Sequence, residues 1–182
     1  GALLTSMDLA ENNIAITKKR FKVFNLKADF ILGNAEELAS YFPNKQFDLV
    51  YSFGVLHHTP RPTLALNECF KVLKPGGELR IMLYAKYSIK NFLIYLKRAQ
   101  PEAQPGCPIA VTFSKKEITK LLEKFEIIEC KKTHIFPYRL KEYKKLNYVK
   151  KFPWNLLPLK LFHVLEKKAG WHLLIKAKKP IL

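Results

Sequence analysis

The chain has 182 residues, 48% hydrophobic and 13% aromatic, enough to bury the core of one domain spanning 1–182 without disulfide or metal staples. Three widely spaced cysteines, Cys69, Cys107 and Cys130, suggest neither a disulfide framework nor a zinc site, so no metal is expected and a reducing, cytoplasmic location fits best. No apolar run reaches the roughly 18 to 20 residues that span a bilayer, whereas the formal net charge of +17 leaves three partners open, namely an anionic small molecule, nucleic acid and peripheral contact with an acidic membrane.

Ala2 to Met7 is a short apolar strand, after which Ala10, Ile14 and Phe21 fall on one helical face. Asp8 stands at the junction, where its carboxylate has two competing uses: capping the helix, with Glu11 completing a box-like pattern, or accepting hydrogen bonds from a ligand diol. The next apolar run, Ala28 to Leu32, ends in Gly33, Asn34 and Ala35 before a short helical stretch over Glu36 to Ser40. Asn34 suits a turn beside a glycine. Phe47 to Phe53 is nearly continuous apolar sequence and predicts a parallel strand covered by helices. Ser52, Phe53 and Gly54 then lie at its carboxyl end, where open α/β sheets bind ligands.

Pro60 and Pro62 open a helix whose Leu66, Cys69, Phe70 and Leu73 share one face, and Pro75, Gly76 and Gly77 stop it. Glu78 to Tyr84 is a second buried strand, completing a βαβ unit. Further on, the pattern predicts a helix over Ser88 to Arg98, a connection from Gln100 to Pro108, a helix over Ser114 to Phe125 with a Ser114 and Glu117 capping box, and a strand from Phe125 to His134.

Phe47 to Tyr84, with its VLHH loop and LKPGG turn, closely resembles the class I S-adenosylmethionine-dependent methyltransferases, in the broad type 11-like subgroup. Gly1 to Arg20 resembles that family's second strand, its terminal acidic residue and the following helix. Phe30 to Leu38 resembles the third strand and adenine loop, and Leu165 to Pro180 the last strand. The resemblance implies an α/β, Rossmann-like class I methyltransferase sheet with helices on both faces and a helical lid inserted after the fifth strand. The core is expected at about 1–86, 109–134 and 169–179, with lid segments at about 87–108 and 135–168. The chain has no G-x-G loop and opens directly on a strand, so the family's first strand and helix are expected to be missing. That loss leaves either two unpaired internal edges or a new pairing between them.

The implied cofactor is S-adenosyl-L-methionine. Asp8 would meet its ribose, Asn34 and Ala35 its adenine, and Leu9, Ser52, Phe53 and Gly54 would complete the cofactor-binding set. Asparagine at position 34, where the family usually has aspartate, keeps a carbonyl acceptor and gives up the charge. His57 and His58 are the candidate catalytic bases, against the plainer reading in which one packs beneath the cofactor and the other bonds to the helix start. Methyl transfer asks mainly for alignment, so the lid sets the acceptor. Tyr84, Tyr87, Asn91, His134, Tyr138 and Arg139 are candidate substrate residues, and the aromatic and basic lid suggests a small-molecule or lipid-linked acceptor. Two alternatives stay open: a nucleic-acid methyltransferase or basic nucleic-acid-binding module, and a non-catalytic fragment that kept the fold.

Overall fold

The computed structural model describes residues 1–44, 46–100 and 110–181. Its elements are β1 (Thr5–Asp8), α1 (Glu11–Val23), β2 (Asp29–Leu32), β3 (Phe47–Phe53), α2 (Pro62–Val72), β4 (Leu73–Ala85), α3 (Ile89–Tyr95), β5 (Thr112–Phe113), α4 (Lys115–Leu121), β6 (Glu126–Thr133), α5 (Leu140–Tyr143), α6 (Leu159–Ala169) and β7 (His172–Lys178), with 3₁₀ segments at Ala35–Tyr41 and Leu56–His58. Beyond Gln100, the expected Gln100 to Pro108 connection lies outside the described residues.

The α/β architecture is the expected one. β3 and β4 run parallel, β4 pairs antiparallel with β7 and β7 antiparallel with β6, while β5 adds a short parallel pairing at the end of β4. β1 and β2 form a separate parallel pair. Among the described residues β1 and β3 do not pair.

The main core lies between one face of the larger sheet and α2 and α4. Leu79, Ile81, Leu83 and Ala85 of β4 and Leu173, Ile175 and Ala177 of β7 meet Leu66 and Cys69 of α2 and Ile118 and Leu122 beside α4. Alternate positions along the two paired strands supply this layer, as period-2 geometry requires. The opposite face carries Arg80 and Lys176, both paired with Glu78, and half-exposed Phe53.

Boundaries differ where one element runs straight into the next. β4 begins at Leu73, not Glu78, because α2 passes directly into an extended segment whose Leu73 pairs with Phe47; the register resumes at Leu49 and Glu78, with Lys74 to Gly77 looped out. Gly76 has φ of +75°, and a Cβ on Gly77 would sit 2.9 Å from the Lys74 carbonyl oxygen, so both positions call for glycine. Lys74 pairs with Asp48 at 2.7 Å and does not cap α2. In the closing segment, Leu165 to Ala169 is the end of α6, and the strand begins at His172.

A buried seam ties the two sheets together. Glu36, only 5% exposed, accepts from the Arg61 backbone N–H at 2.5 Å and from Arg61 Nε at 2.9 Å. Glu68 of α2 accepts from the Ala39 N–H at 2.8 Å and from Lys71 at 2.6 Å. Burial pushes the Glu68 carboxyl up, but the Lys71 and Ala39 bonds and the Lys71 charge outweigh it and leave the group below its ordinary range. Burial, with the Glu68 charge adding to it, raises the neighbouring Cys69 thiol to about 12, so that thiol is inert packing.

The predicted capping box of α4 is present. Ser114 N–H donates to Glu117 Oε2 at 2.7 Å, the Ser114 hydroxyl accepts from Glu117 N–H at 3.2 Å, and Lys86 donates to Glu117 Oε1 at 2.9 Å. The Ser114 bonds, aided by Lys86, hold the Glu117 carboxyl at about 2, below its ordinary 4.5. A depressed folded value stabilises fully above the unfolded one and is lost as pH falls through the folded one. Melting temperature should therefore fall more steeply between pH 4.5 and about 2 in the native chain than in Glu117→Gln. Parallel curves for the two proteins would show that the box contributes nothing.

Candidate active site

The expected cofactor residues gather at the carboxyl ends of the parallel strands. Asp8 ends β1, and its carbonyl accepts from Gly33 N–H at 3.0 Å, closing the ends of β1 and β2 together. The Asp8 carboxylate is already oriented: Oδ1 accepts from Ala10 N–H at 2.8 Å, and Asn13 Nδ2 lies 3.1 Å from both oxygens. The capping box with Glu11 does not form, because Ala10 is the N-cap and offers no side-chain acceptor. Asn13, which sequence reasoning passed over, is the clamp that fixes the carboxylate. Leu9 is 75% exposed beside it.

Asn34 Oδ1 accepts from Glu36 N–H at 3.0 Å and so caps the 3₁₀ segment from an extended backbone, φ −94°. Tyr41 lies over Gly33, where a Cβ would meet its ring at 2.9 Å, and its hydroxyl receives Asn34 N–H at 3.4 Å. Ala35 begins the segment and packs against the main core. Ser52 turns the other way, with its Oγ buried and without a hydrogen-bond partner among the described residues. Gly54 adopts φ of +75° and its N–H donates to the Met82 carbonyl at 3.4 Å, ending β3 in a turn that a side chain would strain.

Beside this end of β3 stands a continuous aromatic and imidazole stack. Tyr84, 3% exposed, has His57 at 3.8 Å between ring centroids on one side and Trp171 stacked at 4.3 Å on the other. His58 lies 4.2 Å from His57. His172 reaches Phe53 at 6.1 Å, Tyr84 at 6.2 Å and His134 at 4.3 Å, the two imidazoles being parallel within 6°. The β4–β7 register puts Tyr84 opposite His172, and the β6–β7 register puts Thr133 opposite His172, so pairing itself assembles the stack.

His57 is 0% exposed and packs against Tyr84, while His58 is part-exposed beside it. His134 joins the stack from a left-handed φ of +71°, held by its N–H to Glu166 Oε1 at 3.0 Å. Asn91 instead spans the start of α3, donating from its side chain to the Lys86 carbonyl at 2.7 Å. Tyr87 is exposed. Tyr138 belongs to another aromatic group, with Phe136, Tyr143 and Tyr148, and Arg139 caps α5 next to it. Trp171 and His172 were missed by sequence reasoning. Among the described residues, no three His, Cys, Asp or Glu side chains converge as metal ligands, and no helix is long and apolar enough to cross a membrane.

Comparison with known proteins finds methyltransferases by sequence and by fold. Residues 1–81 match the family model described as a methyltransferase domain. A ubiquinone biosynthesis O-methyltransferase of Dechloromonas aromatica is 33% identical over 79 residues, covering 43% of this chain and 34% of that protein. The matched stretch is thus about a third of the length of the curated relatives. Among solved structures, a putative methyltransferase from Bacillus halodurans aligns over 98% of this chain and 84% of its own with a TM-score of 0.63 at 20% identity. The N-methyltransferase NodS of Bradyrhizobium japonicum, in complex with S-adenosyl-L-homocysteine, aligns over 98% of this chain and 67% of its own with a TM-score of 0.57 at 16% identity. Residues 1–81 are therefore similar to the methyltransferase domain family, and the chain as a whole carries the α/β, Rossmann-like fold of the solved methyltransferases it aligns with.

Proposed function

We propose that this chain serves S-adenosyl-L-methionine-dependent methyl transfer by in-line displacement to a small-molecule or lipid-linked acceptor. The observation that carries the reading is the pre-oriented Asp8 carboxylate at the carboxyl end of β1, supported by the Asn34 turn after β2 and by the Phe53–Gly54 end of β3 beside the aromatic stack. The relatives named for ubiquinone biosynthesis O-methylation support a small-molecule acceptor.

The cofactor supplies a methyl group already activated on a cationic sulfur. What these residues do is bind and align. Asp8 makes three bonds within the protein, and a carboxylate offers about four acceptor sites, so Oδ2 keeps capacity for a ribose hydroxyl. Asn34 and Ala35 would meet the adenine, with Leu9 alongside the cofactor. The half-exposed ring of Phe53 can favour a neighbouring cation, whereas Tyr84 is covered by His57 and Trp171 and is not available for that role. His57 packs against Tyr84, and His58, His134 and His172 are the neighbouring imidazoles that could take a proton from an acceptor hydroxyl.

Calorimetric titration of S-adenosyl-L-methionine and S-adenosyl-L-homocysteine into the chain tests this reading. Saturable binding is expected, weakened about tenfold or more in Asp8→Ala, because a charge-assisted bond to a hydroxyl contributes about 1.5–3 kcal/mol. Absence of binding by the folded chain would leave the fold as ancestry and favour a non-catalytic domain. Binding unchanged in Asp8→Ala would remove the ribose assignment.

A further inference from the structure

A second site lies on the other side of the lid root. A cleft of about 620 Å³ is lined by Tyr87, Phe113 and Ser114 and by five lysines, Lys115, Lys116, Lys132, Lys167 and Lys168. The two carboxylates closest to it along the chain are engaged elsewhere. Glu117 caps Ser114 and pairs with Lys86, and Glu166 accepts from the His134 N–H and contacts His163. The wall is therefore cationic without internal neutralisation by those groups.

Ordinary solvation accounts for only part of this wall. Lys167 and Lys168 lie in the last turn of α6, where the helix dipole favours cations. Lys115 and Lys116 open α4, where the same dipole disfavours them, so their placement opposes local electrostatics. Lys132 is fixed between them. Its ammonium donates to the Tyr87 carbonyl at 2.5 Å and to the Lys168 carbonyl at 3.0 Å, binding the root of the α3 segment to the end of α6. Partial burial and then the Lys115 charge draw the Lys132 ammonium below its ordinary range, a cost that a bound anion would offset.

We propose that this cleft binds a phosphate-type anion, a phosphomonoester or diphosphate, through Lys115, Lys116, Lys167 and Lys168 with Lys132 as the fixed floor. Several mobile ammonium groups around one pre-set cation suit a compact multivalent anion, each acting as a point charge. The site does not depend on the methyl-transfer reading.

The test is calorimetric titration of inorganic pyrophosphate into the native chain, a Lys115→Ala/Lys116→Ala double variant and a Lys19→Ala/Lys22→Ala control that removes the same charge from α1. Near-stoichiometric saturable binding is expected, weakened about tenfold or more by the cleft variant and less than about threefold by the control, as loss of direct charged contacts predicts. Equal weakening by both variants, or no saturable binding, would overturn the proposal in favour of diffuse attraction to a basic protein. Circular dichroism confirms that each variant is folded.

Sedimentation with phosphatidylcholine vesicles, with and without phosphatidic acid, separates the two sources of such an anion. Binding only to phosphatidic acid vesicles, displaced by pyrophosphate and lost in the cleft variant, identifies a lipid headgroup. Pyrophosphate binding without vesicle binding identifies a soluble phosphorylated ligand.

Discussion

Trp171→Ala is expected to lower stability in urea unfolding by about 3–5 kcal/mol, the range for deleting a buried tryptophan. The indole is 2% exposed and forms a second apolar cluster with Met82 and Tyr84 on the face opposite the main core. It stacks on Tyr84 at 4.3 Å, and Lys90 lies 5.4 Å over its ring, so truncation removes the wall of the stack. A domain stable by roughly 5–15 kcal/mol would lose a large fraction of that margin. Trp171→Phe should cost less than about 1.5 kcal/mol, because Nε1 is buried with no hydrogen-bond partner among the described residues and phenylalanine keeps a ring at that place. An alanine variant within about 1 kcal/mol of the native chain would mean that the stack contributes little packing energy. The same pair of variants then tests function, since a lost wall with a retained fold should alter acceptor binding more than cofactor binding.

How far the stack was legible follows from how it is built. Tyr84, His57, His58, Phe53 and His134 could be singled out because each ends a strand or follows one in a locally readable pattern. Trp171 and His172 could not, because their part depends on β7 pairing antiparallel to β4 with Tyr84 opposite His172, and register between distant strands leaves no local signature. The βαβ unit was legible for the opposite reason. Its apolar faces, Leu66 and Cys69 on the helix and Leu79, Ile81 and Leu83 on the strand, are written over short spans.

Short or merged elements escaped the pattern. β5 is two residues long, held by the pairing of Thr112 and Phe113 with the end of β4. α6 does carry an amphipathic pattern, with Leu161, Phe162, Val164 and Leu165 grouped on one side, but the sequence reading assigns its stretch to the lid and, from Leu165, to the last strand. Pro158 before it and Gly170 after it were the available signals. Gly170 is required for a reason no sequence shows, since a Cβ there would collide with the Thr133 and Glu166 carbonyl oxygens.

The seam between the sheets carries the other large effect, and here the sequence offered only two adjacent glutamates in a short helical stretch. Glu36→Ala should cost about 2–3 kcal/mol, because it strands the Arg61 backbone N–H without its buried acceptor while the Arg61 guanidinium, 68% exposed, can return to water. Glu36→Gln keeps a carbonyl acceptor and should lose about half as much. Arg61→Ala removes the guanidinium and spares the backbone bond, so it should be the mildest of the three, and its double variant with Glu36→Ala measures the coupling. The decisive readout is where the molecule loosens. Glu36 lies just after β2, and its bond to the residue that precedes α2, with the Glu68 to Ala39 bond, connects the β1–β2 pair to the larger sheet. If that seam holds the pair in place, hydrogen exchange in Glu36→Ala rises over Thr5–Asp8 and Asp29–Leu32 and stays near native over β4 and β7. Uniform acceleration across both sheets would show that they unfold as one unit. The seam would then be ordinary packing within a single cooperative fold, and the Asp8 and Asn34 side of the site would be as rigid as the aromatic side.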